Sequence, residues 1–342
     1  MPHRAVTHQP IHIAKQRAGR RPRPELCILA MLILFSVLQI KGRDVVAPVA
    51  GGSAELRLGV TIGGAAVDPA RLDAFAERVG DMPSIVMVYQ LWTEPLFDGP
   101  TVDAIAGRGA TPMITWEPWK DADDAAHPTY TLPSIVAGDH DAYIAESARL
   151  AADWGGELLV RFAHEMNSDW VPWGQGVNGN TPADFVAAWR HVVGIFKAEG
   201  ADNVRWVWSP NVDEGGRYPF AELYPGDDWV DWVGLDGYNW GTELDTEWRS
   251  VADIFGESYD TLTAMTDKPV MIAEFASAEA GGDKAAWIRD GLLVDVPQRL
   301  PEVTADIWFD FDTETNWRID SSQASLTAYR EVVDALRSGQ RR

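Results

Sequence analysis

Two glutamates stand where glutamate is hardest to explain as scaffolding. Glu165 lies between His164 and Met166 at the end of an apolar run that begins at Glu157, and Glu274 closes the run Val270-Met271-Ile272-Ala273. A carboxylate at the end of a buried strand is costly unless it has partners or a task. Two such carboxyls among many aromatics suit glycosidic bond cleavage, in which the two groups flank the scissile bond. The retaining form of that chemistry needs them roughly 5–5.5 Å apart in space, so their distance along the chain is no obstacle. An ionised Glu274 would raise the pKa of Glu165 and keep a proton available for the leaving group. The alternative is that each glutamate only accepts a structural salt bridge or hydrogen bond.

Competing chemistries lack their residues. A zinc site of the His-Glu-x-x-His type needs a second histidine where Ser168 stands. Beyond residue 50 the histidines are His127, His140, His164 and His191, and there is no cysteine. No metal and no cofactor is therefore expected, and neither a nucleophile elbow nor a phosphate-binding loop is present.

Something must bring the two glutamates together. From residue 55 onward, short β-branched runs alternate with longer helical patterns. Strands are expected at 56–63, 84–92, 111–117, 157–165, 203–210, 230–238, 268–275 and 305–312. Helices are expected near 69–79, 102–107, 140–154, 182–199, 251–265, 284–292 and 322–336, with only a weak pattern around 219–223. Thr181 followed by Pro182 is a strong helix start, an N-cap with proline in the first turn. Eight such units without a linker match a single (β/α)8 TIM barrel, whose active site gathers at the C-terminal strand ends. A doubly wound sheet is the alternative, but the glycines after the first strand lack its phosphate-loop spacing. Many of the 16 tryptophans, Trp116 and Trp240 among them, fall near strand ends, where an indole offers a platform for a pyranose ring.

Residues 1–50 differ in kind from 51–342. They hold eight basic and two acidic residues, which leaves 21 basic against 49 acidic in the body, a charge of −28. Such a body repels phosphate backbones and anionic headgroups, so a neutral ligand and no nucleic acid is expected. Residues 26–40 are almost wholly apolar behind a basic stretch, which fits an export signal, either cleaved or retained as a membrane anchor. The catalytic body would then lie outside the cytoplasm, secreted or anchored, and is expected to be a monomer. Cys27, the only cysteine, leaves the body without disulfides, so its core must suffice alone.

The stretch from His164 to Gly174, together with Asp236-Gly237-Tyr238 and Ala273-Glu274-Phe275, resembles glycoside hydrolase family 26, a family of (β/α)8 retaining β-glycanases. The resemblance implies that Glu165 is the acid/base and Glu274 the nucleophile. It implies that His164 takes the place of the asparagine found before the acid/base in most of the clan. It further implies that Tyr238 hydrogen-bonds the nucleophile, that Asp236 supports the site, and that Trp170, Trp317 and Arg318 contact substrate. Mannanases of the family commonly run Asn-Thr-Gly-Ser-Trp after the acid/base; here the run is Met166-Asn167-Ser168-Asp169-Trp170. The resemblance thus leaves β-1,4-mannan, mixed-linkage β-1,3-1,4-glucan and β-1,3-xylan open. A carbohydrate-binding pseudoenzyme on the same scaffold is the reading from another class.

Overall fold

The computed structural model describes residues 56–62, 68–94, 96, 99–120, 128–212, 218–243 and 246–339. The apolar segment at 26–40, and with it the signal or anchor, lies outside the described residues. Among the described residues no helix is long and apolar enough to cross a membrane.

Eight parallel strands close a barrel in chain order: β1 (Arg57–Ile62), β2 (Ile85–Leu91), β3 (Thr111–Glu117), β4 (Leu158–Phe162), β5 (Val204–Trp208), β6 (Trp232–Asn239), β7 (Val270–Ser277) and β8 (Val303–Asp310). All eight expected strands are present. Around them run α1 (Pro69–Val79), α2 (Gly99–Ala106), α3 (Leu132–Val136), α4 (Asp141–Trp154), α5 (Pro182–Ala198), α6 (Val251–Met265), α7 (Lys284–Asp290), α8 (Val296–Arg299) and α9 (Gln323–Arg337). Thr181 caps α5 in a reciprocal box with Asp184 behind Pro182, as the local residues dictate.

Two helical expectations need correction. The weak interval between β5 and β6 carries only 3-10 turns at Phe220–Leu223 and Asp227–Trp229 among the described residues. The short α3, capped by Thr131 and Ser134, was not anticipated, because five residues are too few to show a helical period.

The strand period of two divides each strand between two cores. Ile85, Met87, Met113, Leu159, Val207, Met271, Ala305 and Ile307 fill the barrel interior. The alternate residues, such as Trp116, Phe162 and Trp308, pack under the helices. The seam between β1 and β8 is tight: a Cβ at Gly59 would lie 2.6 Å from the Asp306 carbonyl oxygen, so only glycine fits. Above the apolar interior the inward positions turn polar, and there the two glutamates meet.

Candidate active site

Counting upward by two from the apolar interior, β2 presents Tyr89, β3 Thr115 and Glu117, β4 Arg161, and β6 Asp236 and Tyr238. Arg161 is wholly buried and reaches across the barrel. Its Nε donates to Thr115 Oγ1 at 2.9 Å, one terminal nitrogen to Asp236 Oδ2 at 2.9 Å, and the other to Glu274 Oε1. Ser209 adds a hydroxyl contact of 2.7 Å to Asp236 Oδ1.

Glu274 reaches this layer by a defect in the ladder. Met271 and Ala273 already face the interior, so strict alternation would turn Glu274 toward the helices. The register slips instead: Leu235 pairs with Ile272, but Asp236 pairs with Glu274. This bulge places one extra residue in β7 and leaves Ala273 and Glu274 both inward, with Phe275 packed outside on Trp287 and Trp308. Two phenols complete the setting. Tyr89 donates to Glu274 Oε1 and Tyr238 to Oε2, each at 2.5 Å.

Glu165 is aimed by strain in the backbone. After β4 ends, Ala163 and Glu165 take left-handed φ values of 44° and 52°, unusual for residues with a Cβ. The Glu165 amide then donates to the Ser209 carbonyl at 2.8 Å, which fixes the turn against β5. The side chain accepts from Trp170 Nε1 at 2.7 Å on Oε2 and from Asn211 Nδ2 at 2.8 Å on Oε1. Asn211 is itself held by Asn167, whose amide and carbonyl oxygen bond the backbone oxygen and nitrogen of residue 211 at 2.8 and 2.9 Å.

The electrostatics separate the two carboxyls. Burial alone would raise Glu274, but the Arg161 guanidinium, His164 and the two phenols overcome it and hold the carboxyl well below its ordinary range. Burial pushes Glu165 up to about 7, and the charge of Glu274 adds to the rise against the pull of Asn211 and Trp170. Asp236 is pushed well above the carboxylate range by burial, with Glu274 opposing its ionisation across the shared guanidinium. One buried cation thus balances one anion, and the second acid keeps its proton. Glu117 is driven to about 8, first by burial, with Glu274 and Glu165 adding and Arg161 opposing. Burial beside Glu274 also raises Tyr89 and Tyr238, so both remain donors.

The structure brings Glu165, Glu274, Tyr238 and Trp170 into one cleft. His164 lies beside it, its ring 6.2 Å from Tyr89 and 6.1 Å from Trp173. Trp317 packs against Tyr238 at 5.0 Å and Trp240 at 4.7 Å. Three expected substrate contacts are placed differently. Trp116 is fully buried on the outward face of β3 and bonds Tyr143 at 3.1 Å, so it belongs to the core beneath the helices. Asp236 is fully buried below the cleft, where it braces Arg161 rather than touching a sugar. The Arg318 guanidinium is taken up by Asp320 at 2.8 and 3.0 Å. The acidic residues after β8 are not simply solvated either, since Asp310 accepts from the Ile319 amide at 2.6 Å and Asp320 also pairs with Arg78.

Sequence reasoning missed Arg161, Tyr89 and Asn211 as members of the site. An arginine inside the run Leu158-Leu159-Val160-Arg161-Phe162 was the available signal for the first. The shared parity of Tyr89 with Ile85 and Met87 was the signal for the second. Asn211 carries none, because its role depends on a contact with the loop after β4.

Residues 114–288 match the profile of glycosyl hydrolase family 26. The chain belongs to that family. Among curated proteins it is similar to endoglucanase H of Acetivibrio thermocellus, 39% identical over 286 residues, covering 82% of this chain and 30% of that protein. It is also similar to mannan endo-1,4-beta-mannosidase A and B of Caldalkalibacillus mannanilyticus, 34% identical over 131 residues, 37% of this chain and 23% of that protein. The chain thus spans less than a third of the length of either relative. Among solved structures, the catalytic domain of the family 26 endo-beta-1,4-mannanase of Bacillus sp. JAMB-750 superposes with a TM-score of 0.64 at 16% identity, over 82% of this chain and 86% of that one. That likeness concerns the fold, a (β/α)8 barrel.

Proposed function

We propose that this chain is a retaining, endo-acting β-glycoside hydrolase of a neutral polysaccharide, with Glu274 as nucleophile and Glu165 as acid/base. The observation that carries the reading is the opposed proton state of the two strand-end carboxyls, one held ionised and the other poised at about 7. In the first step the Glu274 carboxylate attacks the anomeric carbon while Glu165 gives its proton to the departing oxygen. Esterified Glu274 no longer carries the charge that raised Glu165. The Glu165 pKa then falls, and the same group takes a proton from the water that releases the sugar. Trp170 and Asn211 stabilise the ionised acid/base in that second step, and Tyr89, Tyr238 and Arg161 stabilise the carboxylate that departs.

Endo action is supported by the names of both curated relatives. The more extensive similarity to the endoglucanase than to the mannosidase favours β-glucan over mannan as substrate. The charge of −28 in the body agrees with either neutral polymer and disfavours polyanions. The basic and apolar N-terminal residues support export, with the body secreted or anchored outside the membrane; fractionation of expressing cells tests that part. For the chemistry, the chain lacking residues 1–50 is assayed on lichenan, galactomannan and xylan. Release of reducing ends with retained anomeric configuration, lost in Glu165→Gln and Glu274→Gln, is expected. Full activity in either variant, or inversion at the anomeric carbon, would refute the assignment.

A further inference from the structure

The Trp317 ring leans on Tyr238, and Tyr238 donates to Glu274. The segment that carries Trp317 is secured by an unusual lysine. Lys284 is the first residue of α7, where the positive end of the helix disfavours a cation. It is also only 1% exposed, which strips its ammonium of water. A residue that breaks two local rules at once needs its compensation elsewhere.

The compensation is a clasp. Lys284 Nζ donates to the Arg318 carbonyl and to Ser321 Oγ, each at 2.8 Å, and to the Trp317 and Asn316 carbonyls at 3.3 and 3.4 Å. The Trp317 carbonyl also accepts from Trp308 Nε1 at 3.0 Å. Glu279 accepts from Ser321 Oγ at 2.6 Å and from Ser325 Oγ at 2.8 Å, so the segment is gripped from two sides. Burial lowers the Lys284 ammonium to about 8, against the charges of Glu279, Asp310 and Asp320, so it remains charged at neutral pH.

We propose that Lys284 is a positioning residue for the reaction: it fixes the backbone of residues 316–321 so that Trp317 keeps Tyr238 aimed at the Glu274 carboxylate. A lysine that merely stabilised the fold would add its loss to that of any cleft substitution. A lysine that acts through Trp317 would not.

The inference rests on the glycanase reading, and the wild-type rate separates the two: a wild type inactive on every polysaccharide overturns that reading, and this inference with it. In an active wild type, Lys284→Met, Trp317→Ala and the double variant are compared on one polysaccharide. Methionine keeps the length and removes the charge and donors. Lys284→Met is expected to lose about tenfold in kcat/KM, a single decade of rate. The acidic limb of its pH profile, which reports Glu274, is expected to move to higher pH. The double variant should be no worse than Trp317→Ala alone. Additive losses, or a folded Lys284→Met with wild-type kcat/KM, overturn the proposal. Should Lys284→Met fail to fold, Ser321→Ala crossed with Trp317→Ala applies the same criterion: a loss that vanishes in the Trp317→Ala background supports the clasp, and additive or absent losses overturn it.

Discussion

Arg161→Met should convert the buried ion pair beneath the cleft into a pH-dependent weakness. The guanidinium is fully buried, and it is the cation that faces Glu274 and Asp236. Removing one partner of a buried pair typically costs about 3–5 kcal/mol, because the remaining charge is left in a medium that cannot solvate it. At roughly 2–4 °C per kcal/mol for a domain of this size, melting should fall by about 10 °C. The pH dependence carries the sharper test. In the wild type Glu274 has a depressed folded pKa, so its contribution is present above the ordinary glutamate value and lost as the pH falls toward the folded one. Without Arg161, burial is unopposed and the folded pKa rises above the unfolded value. The contribution is then present in acid and lost as the pH rises through neutrality. The stability difference between wild type and variant should therefore be largest near pH 8 and shrink toward pH 5. Urea unfolding followed by tryptophan fluorescence across that range measures it. A difference that is flat with pH, or that grows in acid, would refute the account of a single anion balanced by Arg161.

Two further substitutions separate the cleft from the core around it. Trp170→Phe removes the indole N–H that donates to Glu165 Oε2, a bond that favours the ionised form. The basic limb of kcat/KM should move to higher pH, and activity should fall on the order of tenfold, in keeping with about 1.5–3 kcal/mol for a hydrogen bond to a charged group. An unmoved limb in the pH profile would count against Glu165 as the proton donor. Trp116→Phe, in contrast, should cost roughly 1–3 kcal/mol of stability through a lost hydrogen bond and a small cavity. Its KM should stay at the wild-type value; a raised KM would return Trp116 to the substrate site.

The glutamates themselves were legible because a charged residue at the end of an apolar strand run is a local anomaly, visible without coordinates. The strands were legible for a related reason: β-branched clusters such as Ser84–Trp92 and Lys268–Phe275 have a length and period set by the chain alone. The helices of three turns or more were legible, while α3 and the turns between β5 and β6 were not, because a segment of one turn has no period to read. Trp116 and Asp236 were misjudged for one shared reason. Proximity to a strand end does not say which face a side chain takes, or how deep it lies, until the register of the neighbouring strands is known.

The amino-acid sequence by itself determined the eight strands, the two candidate carboxyls, the tryptophan supply and the charge that excludes anionic polymers. These follow from residue type and local period. The tertiary structure alone decided that Glu274 faces inward, since that depends on a bulge in the β7 ladder against the alternation its own strand implies. It alone decided that Arg161 ionises Glu274 while Asp236 keeps its proton, because that division is a property of three buried groups sharing one site. The same holds for Asn211 on Glu165, two residues joined by a contact between loops. Alternation and composition act along the chain, whereas desolvation and Coulomb forces act across it, and the proton states of the cleft come from the second.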